Sequence, residues 1–124
     1  MGLNAKIVCI PYKKYIGCKY TVAVSSGTAA LHLISKSLGW QKNDVILTSP
    51  MTFVAGANAV HDSGANIEFV DIDKYQNLDP DLLEKKIIKL KNIGKKISAV
   101  IATDYAGVPA NWDKLIKLKK KYKF

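Results

Sequence analysis

The chain has 124 residues and 48% hydrophobic content, which suits one small domain with a packed core. No run approaches the roughly 18 apolar residues of a membrane span, and the first residues hold no apolar stretch ending in a small-residue cleavage site. No signal peptide is therefore read, and a cytoplasmic location is expected. The net charge of +9 rests on lysine alone, with no arginine. Arginine is the usual reader of guanine edges and phosphates, so a solvated lysine-rich surface is expected, with a basic nucleic-acid-binding module as the alternative.

In chain order, short apolar runs alternate with amphipathic stretches. Cys9 and Cys18 are not spaced as CxxC and complete no zinc site, so both read as free thiols. Tyr20–Val24 (YTVAV) reads as a strand and Thr28–Leu38 as a helix closed by Gly39. Val45–Thr48 is a second strand, broken by Ser49-Pro50, and Thr52–His61 is helical up to Ser63-Gly64. Ile67–Val70 is a third strand. Asp79 then caps a helix with Pro80 at its first position. Ser98–Thr103 is a fourth strand, and Asn111 caps a last, lysine-rich helix. This alternation predicts an α/β fold with a mostly parallel sheet and helices on both faces. Both ends read as cut: the last helix has no cap or following strand, and residues 1–14 start a sheet domain poorly.

Ligands of such sheets bind at the carboxyl ends of the strands. There, Ser26-Gly27-Thr28 opens a helix, whose free N–H groups and dipole favour an anion. A phosphate fits this turn, and so does plain capping by Ser26 or Thr28; the residues alone leave both open. The turn is neither a Walker loop, a GxGxxG fingerprint nor a GxSxG elbow. Phe53 follows the next strand and suits either the core or stacking on a flat ring. Asp71 and Asp73 have no third metal ligand nearby and read as turn residues. Asp104 and Tyr105 follow the fourth strand and can face the site. His32 and His61 have no triad-like partner and read as packing or surface residues.

The segments SSGTAAL, PMTFVA-x-ANAV, SGA-x-x-x-FVDID, NLDP and DYAG, in this order, resemble the DegT/DnrJ/StrS-type sugar aminotransferases from about Tyr15 to the end. The DYAG form is similar to members acting on UDP-linked 4-keto-6-deoxy sugars, the UDP-4-amino-4,6-dideoxy sugar transaminases. The resemblance implies that residues 15–124 are part of the large domain of the aspartate-aminotransferase-type fold, preceded by a divergent segment at 1–14. It implies pyridoxal 5'-phosphate (PLP) as cofactor and a homodimer. It further implies amino transfer, usually from glutamate, to a nucleotide-linked keto sugar. By matching position, Ser26, Gly27, Thr28 and the Ala29 backbone hold the cofactor phosphate. Phe53 stacks on its ring, and Asp104 and Tyr105 line the floor. The family's Schiff-base lysine and the aspartate that pairs with the ring nitrogen match no position in this chain, so the chain alone is expected to be inactive. The alternatives are a non-catalytic remnant that binds a phosphorylated ligand or a full-length partner, and the nucleic-acid module.

Overall fold

Strand β1 (Asp44–Thr48) is buried at every residue. A run of Val45, Ile46 and Leu47 is apolar on both pleat faces, so it needs cover on both sides. The computed structural model, which describes residues 11–124, supplies that cover. After a helical stretch at 11–16 come α1 (Gly27–Leu38), β1, α2 (Ala55–Ser63), β2 (Asn66–Phe69), α3 (Pro80–Asn92), β3 (Lys96–Ile101) and α4 (Trp112–Tyr122). The sheet is parallel, with strand order β2-β1-β3. Val45 and Leu47 point to one face, where Leu83, Ile87 and Leu90 of α3 and Leu115 and Leu118 of α4 close the larger core. Ile46 points to the other, with Trp40, Val60 and Ala65. This is the expected α/β architecture with helices on both faces.

The local stop and start signals act as read. Gly39 ends α1 at φ 65°, a left-handed conformation that a Cβ disfavours. The Asp79 carboxylate accepts from Asp81 N at 2.7 Å and Leu82 N at 3.1 Å, with Pro80 in the first turn. Asn111 caps α4 by accepting from Lys114 N at 3.1 Å. Asp71 and Asp73 accept backbone N–H groups of their own turns, from Ile72 and from Tyr75 and Asn77. Cys18 is a free, half-buried thiol. Cys9 and most of the 1–14 segment lie outside the described residues.

Two expectations need correction. Tyr20–Val24 forms no strand, so the sheet has three strands rather than four. Its β-type composition finds no ladder: β2 and β3 occupy both sides of β1, and among the described residues nothing pairs with their outer edges. Strand propensity is realised only where backbone groups and side chains meet a neighbour. Tyr20 and Val22 are accordingly exposed. The second correction concerns boundaries. β3 begins and ends two residues before the expected Ser98–Thr103 because its length is set by β1, with Asp44 opposite Lys96 and Thr48 opposite Ile101. The Thr48 hydroxyl closes that end by donating to Ile101 O at 3.1 Å. Likewise β2 starts at Asn66, opposite Val45, and α2 starts three residues late because Ser49–Val54 is a loop.

The amino end of the sheet carries its own polar lock. The register of β1 on β3 slips between Val45 and Ile46, which pair with Ile97 and Ala99, so Ser98 is the extra residue of a bulge. Asp44 is 5% exposed and uses both carboxylate oxygens. It accepts from Lys96 Nζ at 2.6 Å, Ser98 Oγ at 2.6 Å and Gln41 N at 2.8 Å. The Lys96 hydrogen bond, then Ser98, holds its pKa down at about 2 from 3.8, against the opposing effect of burial.

A depressed folded-state pKa adds stability that is present above pH 3.8 and lost as the pH falls toward about 2. The shift corresponds to about 2 kcal/mol at full value, and to about 1 kcal/mol once solvent screening of the exposed Lys96 ammonium is allowed for. Asp44→Asn is therefore expected to lower the urea-unfolding free energy at pH 7 by about 1 kcal/mol. The gap to wild type should shrink as the pH falls through that window. A gap independent of pH contradicts the account.

Candidate functional site

The parallel strands deliver their carboxyl ends to one edge of the sheet. Ser49–Phe53 follows β1, Val70–Asp73 follows β2, and Ala102–Gly107 follows β3. α1 packs on α2, which brings the α1 N-terminus beside the loop after β1. Between them lies a cleft of about 520 Å³ lined by Thr28, His32, Phe53, Asn58 and Asp62, among others.

At the α1 end, the Ser26 hydroxyl accepts from Ala29 N at 3.1 Å, and Ser26 O accepts from Ala30 N at 3.1 Å. Ser26 is thus the N-cap. The backbone N–H groups of Gly27 and Thr28 make no hydrogen bond among the described residues. Two donors on the positive end of a 12-residue helix therefore face solvent, together with the Thr28 hydroxyl. A Cβ built on Gly27 would meet nothing within 4 Å, so the space beside this turn is open.

Across the cleft, Phe53 is 77% exposed. Its Thr-Phe-Val-Ala context suits a core residue, yet the ring is not in the core. Its loop is held from below: Ser49 Oγ accepts from Met51 N at 3.0 Å, and the hydroxyls of Thr52 and Thr103 meet at 3.2 Å. That last contact ties the loop after β1 to the loop after β3.

Of the residues singled out in the sequence, Ser26, Gly27, Thr28 and Ala29 share one helical turn, and Thr28 and Phe53 share the cleft. Asp104 and Tyr105 stand apart from its lining, on the β3 side. The Asp104 carboxylate is turned to the start of α4, where Oδ1 accepts from Ala110 N at 2.8 Å and from Trp112 Nε1 at 2.9 Å. Sequence reasoning did not gather His32, Asn58 and Asp62 into the site. The available signal was spacing: His32 lies one helical turn after Thr28 on the same face. Its Nε2 is 3.4 Å from Asp62 Oδ2, which joins α1 to α2 at the cleft wall, while His61 is exposed on the same carboxylate at 3.4 Å. Elsewhere, two lysines of α4 pair with acids of α3 on the surface, Lys114 with Asp81 at 3.0 Å and Lys121 with Glu84 at 2.8 Å. No helix of the described residues is long and apolar enough to cross a membrane.

Comparison with known proteins gives this geometry its context. The model of the DegT/DnrJ/EryC1/StrS aminotransferase family matches residues 11–124. The chain belongs to this family. The UDP-4-amino-4,6-dideoxy-N-acetyl-beta-L-altrosamine transaminase of Campylobacter jejuni is 40% identical over 110 residues, covering 88% of this chain and 28% of that protein. Helicobacter pylori PseC, an aminotransferase involved in the biosynthesis of pseudoaminic acid, superposes with a TM-score of 0.85 at 28% identity, over 100% of this chain and 32% of its own. A family member from Brucella abortus gives a TM-score of 0.93 at 24% identity, over 99% of this chain and 34% of its own, and supports the fold alone. The chain thus spans about 28% of the length of the first curated relatives it matches.

Two substitutions separate the roles of the site's residues. Ser26→Ala removes the helix cap and is expected to destabilise the chain by about 1 kcal/mol. Phe53→Ala, at an exposed ring, is expected to change stability by less than about 0.5 kcal/mol. Urea midpoints check both; a large loss in Phe53→Ala would return that ring to the core.

Proposed function

We propose that this chain carries the phosphate-and-ring portion of a PLP site, within a transaminase that moves an amino group from glutamate to a nucleotide-linked keto sugar. The observation that carries the reading is one cleft with an unpaired helix N-terminus on one wall and an exposed aromatic ring on the other. The two walls fit the two ends of the cofactor. Gly27 N, Thr28 N and the Thr28 hydroxyl can donate to a phosphate, Gly27 leaves room for it, and Phe53 offers a face to a flat ring. When bound, the cofactor supplies an electron sink for amino transfer. The chain's own residues bind and orient it: the α1 N-terminus holds its anionic end, Ser26 keeps that turn formed, and Phe53 limits tilting of the ring.

Family membership supports the transaminase class. The C. jejuni relative's name supports a UDP-linked 4-keto-6-deoxy sugar as acceptor. We take the working assembly to be a cytoplasmic homodimer. Since the family's lysine and ring-nitrogen aspartate match no residue of this chain, the isolated chain binds the cofactor weakly and transfers no amino group.

The test uses pyridoxamine 5'-phosphate, because the aldehyde of PLP would also react with the lysines of the chain, which number 19 in the sequence. Calorimetric titration is expected to show weak binding, and pyridoxamine without its phosphate should bind more weakly still. Phe53→Ala should weaken it by roughly 3- to 10-fold, the range of an aromatic stacking contact. Equal binding of the two compounds, or an unaffected Phe53→Ala variant, contradicts the reading.

A further inference from the structure

The turn after β3 has an unusual backbone. Ala106 is left-handed at φ 50° and ψ 31°, and Gly107 follows at φ 81°. A residue with a Cβ is disfavoured there and persists only where its surroundings over-determine it. The surroundings come from a residue far away in sequence. Asn77 is 2% exposed, and its whole amide is spent on this one turn. Its Oδ1 accepts from Tyr105 N at 2.9 Å, and its Nδ2 donates to Val108 O at 3.0 Å and Pro109 O at 3.3 Å. The three bonds straddle Ala106-Gly107, and within them Val108 N donates to Tyr105 O at 2.9 Å.

Asn77 is itself held from behind. Its backbone N–H donates to Asp73 Oδ1 at 3.1 Å, and its carbonyl accepts from Asp73 N at 2.8 Å. The reach and planarity required are narrow: one acceptor and two donors on a short stem. Aspartate keeps the acceptor but has no donors, and glutamine is one methylene too long. On the far side, Asp104 fixes the same turn to Ala110 and Trp112. The turn thus sits clamped at the carboxyl end of β3, where Thr103 meets Thr52, the neighbour of Phe53.

We propose that Asn77 is a positioning residue of the cofactor site: it locks the Tyr105–Gly107 turn and, through the Thr103–Thr52 contact, sets the stance of the Phe53 loop toward the ring. This rests on the cofactor reading proposed above, and Asn77 itself touches no ligand. The motif Asn-Leu-Asp-Pro then does two jobs: Asp79 and Pro80 start α3, and Asn77 organises the opposite loop.

The test compares the whole chain as wild type, Asn77→Ala, Asn77→Asp and Asp44→Asn. Amide hydrogen exchange of Tyr105 and Val108 is followed without ligand, and affinity for pyridoxamine 5'-phosphate is measured by titration. Asn77→Ala should speed exchange at both amides and weaken binding about tenfold. Asn77→Asp, which keeps the acceptor, should protect Tyr105 better than alanine does, and it serves if the alanine variant does not fold. Asp44→Asn, which destabilises from the other end of the sheet, should bind as wild type does. Unchanged exchange in Asn77→Ala overturns the proposal, as does faster exchange with affinity within about twofold of wild type. A wild type that does not bind pyridoxamine 5'-phosphate defeats the cofactor reading itself. That failure is recognisable because the exchange measurement needs no ligand, and it removes the binding role of Asn77.

Discussion

Everything in this structure depends on β1 being buried on both faces. Val45 and Leu47 seat α3 and α4, and Ile46 seats the cluster that holds α2. Its neighbours β2 and β3 are both parallel to it, as suits a strand whose connections run through the covering helices. Parallel strands then deliver all their carboxyl ends to one edge. The loops that follow the strands gather at that edge, and the cleft forms there.

The two ends of the sheet are built differently. At the amino end, a bulge and a buried carboxylate with three partners make a closed polar lock that offers nothing to a ligand. At the carboxyl end, donors are left open at Gly27 and Thr28, and an aromatic ring stands in solvent. The polar groups at the amino end are thus satisfied, while donors stay open at the other. At that same carboxyl end, Thr48 and Thr103 tie the strand ends and loops together and are not among the residues lining the cleft.

The features legible in the sequence were those decided by near neighbours. Asp79-Pro80, Gly39 and Asn111 act within one turn of chain, so their residue types suffice. Tyr20–Val24 has the composition of a strand but forms none, because a strand needs a partner that composition does not reveal. The ends of β3 were misplaced because β1, about 50 residues away, sets them. The SSGT turn announced an anion-binding helix start or a plain cap, and Ser26 does cap the helix while the next two N–H groups stay open. Phe53 looked like core until its family resemblance and its exposure set it beside the cleft. His32, Asn58 and Asp62 escaped notice because only the packing of α1 on α2 brings them together. The role of Asn77 was hidden for the same reason: its partners lie 28 to 32 residues further on.

The central claim is that one cleft, between Thr28 and Phe53, holds a phosphate at one end and a flat ring at the other. Backbone amide chemical shifts of the isotopically labelled chain, titrated with pyridoxamine 5'-phosphate, test it most directly. The account predicts the largest shifts at Gly27, Thr28 and Ala29 and, separately, around Phe53. Pyridoxamine should move the second group without the first, and inorganic phosphate the first without the second. Shifts centred on the lysines of α3 and α4, or a single group moving with every probe, would contradict it.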